Sequence, residues 1–375
     1  MTVGEQTDVM TAIPLVDLKA AHADVAAEIQ AGFDEVISNA AFIKGPVAAA
    51  FERDYAAFTG VAHCVGVANG TDALELALRA AEVPAGAEVI MPANTFVATA
   101  EAVVRAGARP AFADVDPDYL LLDPGALEAA LSRPTGAVIP VHLFGQMAPM
   151  AAIAEAAQGA VIIEDAAQAH GATQSGRPAG SFGLLAGVSF YPGKNLGAYG
   201  DAGAVLTESA EHAQRVRLLG DHGSKRRYEH LTIGFNSRLD ALQAVVLRAK
   251  LRGLAAGNLA RRQAAGRYAE LLADLPEVIL PRTAPGNEHV WHLYVIRVPR
   301  RDHVLRCLND EGISAAIHYP VPVHLQPALR HLGYAPGDFP VAEAAAGQLL
   351  SLPLYPQITP EQQARVADAV RRALR

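Results

Sequence analysis

An α/β fold with a mainly parallel sheet follows from three features of the chain. Short apolar runs alternate with helical windows through roughly the first 250 residues, the pattern of repeated βαβ units. The runs are near-continuously apolar, as strands covered on both faces must be. Past about residue 255 the strands shorten and the alternation changes character. The 375 residues are 51% hydrophobic, enough for a large core. At roughly 100–200 residues per domain, the length implies about two or three domains.

The elements follow in order. His63–Asn69 (HCVGVAN) predicts a strand and Thr71–Ala81 a helix. Glu88–Ala93 (EVIMPA) predicts a strand, followed by a helix after Thr95 and a strand over Pro110–Val115. Asp123-Pro124 marks a helix start, with the acid as N-cap and proline at the first helical position. Ala137–Leu143 (AVIPVHL) and Ala160–Glu164 are strands around a helix near Ala151–Gln158. A further strand ends near Ser189, and Ala202–Leu206 is the next. Ser237–Leu251 predicts a long amphipathic helix, His292–Val298 a strand, and Thr359-Pro360-Glu361-Gln362 a capping box with proline at N1. Residues 1–250 are expected to form a large domain and residues 251–375 a smaller α+β domain.

Composition narrows the function. Lys and Arg total 31 against 39 Asp and Glu, a net charge of −8, so the chain has no global attraction for nucleic acid or an anionic membrane. Two distant cysteines, Cys64 and Cys307, form neither a metal-ligand spacing nor a disulfide framework, which suits a reducing cytoplasm. The N-terminal stretch lacks a basic region followed by an apolar core, and no run of about 18 apolar residues occurs. A cytoplasmic protein that binds neither membrane nor nucleic acid is expected.

In parallel sheets, ligands gather at the carboxyl ends of the strands. Glu164-Asp165 ends an apolar strand; such an acid either caps the following helix or pairs with a cationic ligand nitrogen. Gly70-Thr71-Asp72 opens a helix after a strand, where free backbone amides and the helix dipole attract phosphate. Phe96 lies at another strand end, able either to stack on a planar ring or to pack in the core. Lys194 stands alone in the apolar, glycine-rich stretch SFYPGKNLGAYGDAGAV (189–205). A desolvated lysine has a depressed pKa and can act as a neutral amine, which Schiff-base chemistry needs. A phosphate loop of the Walker type fails here, because Gly187 and Gly193 are one residue too far apart and Asn195 replaces the required Ser or Thr. No G-x-G-x-x-G opens a helix after a strand, and no H-E-x-x-H occurs. A ring-nitrogen acid, an amine, the Ser189 hydroxyl, a phosphate-binding helix start and a stacking aromatic together match pyridoxal phosphate.

The motifs FIKGP (42–46), NGTDAL (69–74), PANTFVATAEAV (92–103), PVHLFGQ (140–146), EDAAQAHGA (164–172), SFYPGKNLGAYGDAGAV, the segment 220–244 with GFNSRLD, and HYPVPVHLQ (318–326) occur in sequence. In these the chain resembles the DegT/DnrJ/EryC1/StrS sugar aminotransferases. The resemblance implies an aspartate-aminotransferase-like fold of type I: a large domain with a mainly parallel seven-stranded sheet and a smaller C-terminal domain. It implies pyridoxal 5'-phosphate, passing through pyridoxamine 5'-phosphate in turnover. Lys194 would hold the cofactor as a Schiff base and shuttle the proton, and Asp165 would pair with the pyridinium nitrogen. Gln168 would lie near the ring hydroxyl, and Phe96 would stack on the ring. Gly70, Thr71 and Ser189 would hold the phosphate, with Asn236 reaching it from the neighbouring subunit of a homodimer. His318 and Tyr319 would lie near the substrate entrance.

Within that family the position of Lys194 is histidine in some relatives, which are sugar dehydratases; lysine favours transamination. The stretch YPGKNLGAYGDAG is similar to the branch that acts at C3 of TDP-linked 3-keto-6-deoxyhexoses, with L-glutamate as amino donor. Action at C4, a UDP- or GDP-keto-sugar, a keto-inositol, or a non-catalytic regulatory protein keeping the fold are the alternatives. Arg226, Arg227 and Tyr228 lie in a polar segment that either contacts the nucleotide diphosphate or is a solvated loop.

Overall fold

The computed structural model describes residues 12–131 and 135–375. The first eleven residues of the expected large domain lie outside that range. A seven-stranded sheet forms the centre. Its strands are β1 (His63–Val67), β2 (Glu88–Pro92), β3 (Arg109–Ala113), β4 (Thr135–Val138), β5 (Val161–Asp165), β6 (Leu185–Ser189) and β7 (Gly203–Thr207). The spatial order is β1-β7-β6-β5-β4-β2-β3. β7 runs antiparallel to both its neighbours, and every other pairing is parallel. The carboxyl ends of β1, β2, β5 and β6 and the beginning of β7 therefore share one edge.

The local sequence explains the element ends. Asn69 caps the Gly70–Ala80 helix by accepting from Asp72 N at 2.8 Å, and Asp123 caps the Pro124–Ala130 helix by accepting from Ala126 N at 2.7 Å. Thr359 and Gln362 exchange bonds in a complete capping box at the Pro360–Leu374 helix.

Two expectations are corrected. The strand expected over Ala137–Leu143 ends at Val138. Pro140 has no N–H to continue the ladder, and Leu143–Gly145 turns as a short 3-10 helix with Phe144 at φ 61°. The helix expected over Ser237–Leu251 begins at Ala241. The preceding residues are held extended instead: Ser237 N donates to Gly220 O, its Oγ accepts from Ala68 N, and Asp240 bridges Ile43.

Apolar helix faces and the sheet make the main core, exemplified by Leu74, Leu78, Ile90, Val103 and Ile163, all at most 3% exposed. A second core joins Ile13 to residues of the Leu254–Leu271, Arg301–Asp310 and Pro360–Leu374 helices. These pack on the antiparallel pair β8 (Tyr294–Arg297) and β9 (Leu349–Leu352). Segment 323–345 leaves that unit to pack Val323, Leu329 and Phe339 on the main core. Among the described residues no helix is long and apolar enough to cross a membrane, and no group of three His, Cys, Asp or Glu is arranged to hold a metal.

Candidate active site

At the shared strand edge lies a cavity of about 560 Å³, within the size range of small-molecule sites. Gly70, Thr71, Phe96, Asp165, Gln168, Ser189, Lys194, His318 and Tyr319 all line it. The sheet supplies most of these: Asp165 and Ser189 end β5 and β6, Gly70 and Thr71 follow β1, and Phe96 follows β2.

One end of the cavity has features that suit an anion. The amides of Gly70 and Thr71 are the first of their helix, so no preceding turn satisfies them, and the helix dipole favours negative charge. A Cβ on Gly70 would lie 2.6 Å from Ser189 Cβ, so helix start and hydroxyl can be this close only with glycine. A Cβ on Gly203 would lie 2.4 Å from the Asn69 carbonyl, so β7 must also offer no side chain.

The middle of the cavity holds the acid and the amine. Asp165 Oδ2 accepts from Thr99 Oγ1 at 2.8 Å, and Oδ1 accepts from Ala167 N at 3.2 Å. Burial nevertheless raises its pKa, against the lowering effects of Thr99, Ala167, Lys194 and His142. The carboxylate is thus stabilised by its surroundings less than water would stabilise it, even with the charge of Lys194 acting on it. Lys194 is lowered from 10.5 to about 8, burial first, with Asp165 opposing. Side-chain exposure leaves Lys194 open to the cavity, yet protein surrounds it, and that surrounding governs its charge. At pH 7 the shift raises its neutral fraction from about one in three thousand to about one in ten. The loop after Lys194 folds tightly: a Cβ on Gly197 would meet Pro192 O at 2.2 Å.

Around them, Gln168 Oε1 accepts from Phe144 N at 2.7 Å and its Nε2 donates to Tyr319 Oη at 3.2 Å. Phe96 is 51% exposed, its ring 5.3 Å from that of Tyr319. His318 Nδ1 bonds Ser351 Oγ at 2.8 Å, and burial followed by Lys194 lowers its pKa to about 4. His170 Nε2 donates to Ser189 O at 2.9 Å, and burial with Lys194 lowers it to about 3.

Two expected residues lie elsewhere in this chain. Asn236 accepts from Arg238 Nη2 at 2.5 Å and lines a separate cavity of about 360 Å³. Asp201 lines both cavities. Tyr228 is 82% exposed, with Arg227 over its ring, in the turn between Ser224–Arg226 and Glu229–His230. Sequence reasoning missed Thr99 and His292. Thr99 had a signal, one helical turn after Thr95 at a strand end; His292 had none.

The sequence profile of the DegT/DnrJ/EryC1/StrS aminotransferase family matches residues 23–371. The chain belongs to this family. It is 48% identical over 366 residues to a UDP-N-acetyl-3-dehydro-α-D-glucosamine 3-aminotransferase of Acidithiobacillus ferrooxidans, covering 97% of this chain and 98% of that protein. It is 46% identical over 363 residues to dTDP-3-amino-3,4,6-trideoxy-α-D-glucose transaminase of Streptomyces venezuelae, covering 96% and 95%. The crystal structure of S. venezuelae DesV in complex with a ketimine intermediate superposes with a TM-score of 0.95 at 45% identity, covering 98% of this chain and all of that one. The chain is an aminotransferase with the type I fold, and its cofactor is pyridoxal phosphate. The cavity fits that group: a helix start cleared of side chains, a buried carboxylate whose pKa burial raises, an amine of lowered pKa, and a half-exposed aromatic face.

Proposed function

We propose that the protein transfers an amino group from L-glutamate to C3 of a TDP-linked 3-keto-6-deoxyhexose, in deoxyaminosugar formation. The observation that carries the reading is a single cavity lined by Lys194, Asp165, Ser189 and the start of the Gly70–Ala80 helix. The substrate class is supported by the S. venezuelae relative, whose name specifies a dTDP-3-amino sugar.

When bound, pyridoxal phosphate supplies an electron sink for the carbon that loses its proton. The chain's own residues do the rest. Gly70 N, Thr71 N and Ser189 Oγ bind the phosphate. Asp165 would keep a proton at the ring nitrogen. Gln168, fixed by Phe144 N, orients the ring hydroxyl, and Phe96 covers the ring. Lys194 Nζ would anchor the cofactor and, as a neutral amine, would take the proton from the substrate α-carbon, a role worth about 10²–10⁴-fold. His318 and Tyr319 line the route to the amine. Asn236 completes the phosphate seat of a partner subunit in a homodimer; its position outside this chain's own cavity supports that assignment. Tyr228 and its exposed turn would face the nucleotide of that assembly.

A second reading, amination of a UDP-linked 3-keto-sugar, is favoured by the A. ferrooxidans relative. Incubation with glutamate and a panel of TDP-, UDP- and GDP-keto-sugars, with NMR identification of the aminated carbon, separates the two. Amination at C3 of a TDP-sugar is the expected result, and reaction only at C4 or only with a keto-inositol would sink the reading. Lys194→Ala is expected to lose turnover and the visible absorbance of the bound cofactor; retained activity removes Lys194 from its role.

A further inference from the structure

Behind Asp165, two hydroxyls form a chain that ends on its carboxylate. Asp165 Oδ2 accepts from Thr99 Oγ1 at 2.8 Å, and Thr99 Oγ1 lies 2.9 Å from Thr95 Oγ1. An ionised carboxylate only accepts, so the one hydroxyl proton of Thr99 points to Asp165. Thr99 then meets Thr95 as the acceptor, and Thr95 donates. The chain therefore has a direction, from Thr95 through Thr99 to Asp165, and each bond polarises the next. All three residues are buried.

Thr99 lies in the Val97–Arg105 helix, where such a hydroxyl ordinarily bonds a carbonyl three or four residues back. Thr59, at the end of the Gly45–Thr59 helix, does that: its Oγ1 donates to Tyr55 O at 2.9 Å and to Ala56 O at 3.2 Å. Thr207, also buried, donates to Leu184 O at 2.8 Å. Thr99 instead crosses to the end of β5. The other oxygen of Asp165 accepts from Ala167 N at 3.2 Å. Each carboxylate oxygen thus has one donor from the protein, and together the two donors fix the plane of the group.

We propose that Thr95 and Thr99 are positioning residues that hold the Asp165 side chain in one orientation and keep it ionised, so that it meets the cofactor as an anion. The charged and titratable groups around Asp165 are Lys194 and His142, which act on its charge, and Tyr319, on which it acts. Lys194 has a reaction of its own to perform. The hydroxyls have none, and they act on Asp165 throughout. The inference rests on Asp165 being the acid at the ring nitrogen, so its first readout needs no cofactor.

In cofactor-free protein, infrared difference spectra against pH identify the protonated carboxyl band of Asp165 as the one that Asp165→Asn removes. Thr99→Val keeps the shape of the side chain and removes the donor. It is expected to move the titration of that band upward by about 1–2 pH units, the worth of one hydrogen bond to a charged group. Thr99→Ser, which keeps the hydroxyl, is expected to titrate with the unaltered protein. Thr95→Val leaves the Thr99 bond in place and is expected to shift the band the same way by less. With cofactor, Thr99→Val is expected to lower kcat about 10- to 100-fold and to move the acidic limb of its pH profile upward. An unmoved band in Thr99→Val overturns the proposal, and so does a Thr99→Ser shift as large as that of Thr99→Val. Should Thr99→Val fail to fold, Thr95→Val decides, because an unmoved band there breaks the chain. A moved band with unchanged kcat upholds the grip on Asp165 and removes Asp165 from the ring nitrogen, so failure of the parent reading is told apart from failure of this one.

Discussion

Glu164 and Asp165 are consecutive residues at the end of β5, and they end in opposite environments. Glu164 is fully buried and saturated. Its Oε2 accepts from His142 Nε2 at 2.8 Å and Gly180 N at 2.9 Å, and its Oε1 accepts from Phe182 N and Gly183 N, both at 2.7 Å. Ala148 N donates to His142 Nδ1 at 3.2 Å, so the His142 proton lies on the nitrogen facing Glu164. Asp165 has two donors and a cavity. Burial works to raise both carboxyls; at Glu164 the bonds from His142, Gly183 and Gly180 win and the pKa falls, whereas at Asp165 burial wins and it rises. A strand-end acid with every oxygen filled is held by the fold, and one with fewer donors beside a cavity has acceptor capacity left for a ligand.

The most severe test of that contrast exchanges the charge at each site. Asp165→Asn is expected to lower kcat by about 10²–10⁴-fold and to leave the unfolding midpoint of the cofactor-free protein unchanged or raised. Glu164→Gln is expected to do the reverse. Its NH₂ would oppose donors already pointing at the site, and breaking a buried, hydrogen-bonded ionic group costs about 3–5 kcal/mol. Denaturant unfolding and steady-state kinetics on both variants decide. If Asp165→Asn destabilises while Glu164→Gln only slows turnover, the assignment of the two acids is inverted.

A finer test uses pH in the cofactor-free protein. Glu164 is lowered from 4.5, so its contribution is complete above about pH 4.5 and is lost as pH falls through its lower folded value. Asp165 is raised from 3.8, so its cost is absent below that value and appears as pH rises through the higher folded one. Subtracting the stability–pH curve of each variant from that of the unaltered protein should give slopes of opposite sign in the acid range. Slopes of the same sign would refute the contrast.

The sequence carried the half of this that depends on chain order. Apolar runs ending in Glu-Asp, Asn-Gly or Ser place residues at one sheet edge, because a parallel sheet aligns its carboxyl ends, and the isolation of Lys194 among glycines signals a desolvated amine. Which of two adjacent acids faces the cavity is set by the pleat, and Thr99 and His292 join the site only through packing. Pro140 and the extended Ser237–Asp240 segment defeated period-based reading: one lacks a ladder donor, and the other is held by Gly220, Ala68 and Ile43 from distant parts of the chain.

The smallest predicted effect concerns the loop that joins Lys194 to β7. Lys250 Nζ donates to Gly197 O at 2.7 Å and lies 4.5 Å from the centre of the Tyr199 ring, while Tyr199 N donates to Gln243 Oε1 at 2.8 Å. Tyr199 Oη also meets His22 Nδ1 at 2.5 Å. The Ala241–Leu251 helix thus holds the loop by a cation on a carbonyl and an aromatic face, and burial lowers the pKa of Lys250 to about 8. Lys250→Met keeps the length of the side chain and removes the donor. It is expected to cost about 1 kcal/mol and to speed amide hydrogen exchange over residues 196–202 without altering exchange at Glu164. Unchanged exchange in the loop would mean that the close packing of Gly197 on Pro192 holds it alone. Rigidity next to Lys194 would then come from the backbone, as it does around Glu164, and the open side of β5 would differ from the closed side only in its missing donors.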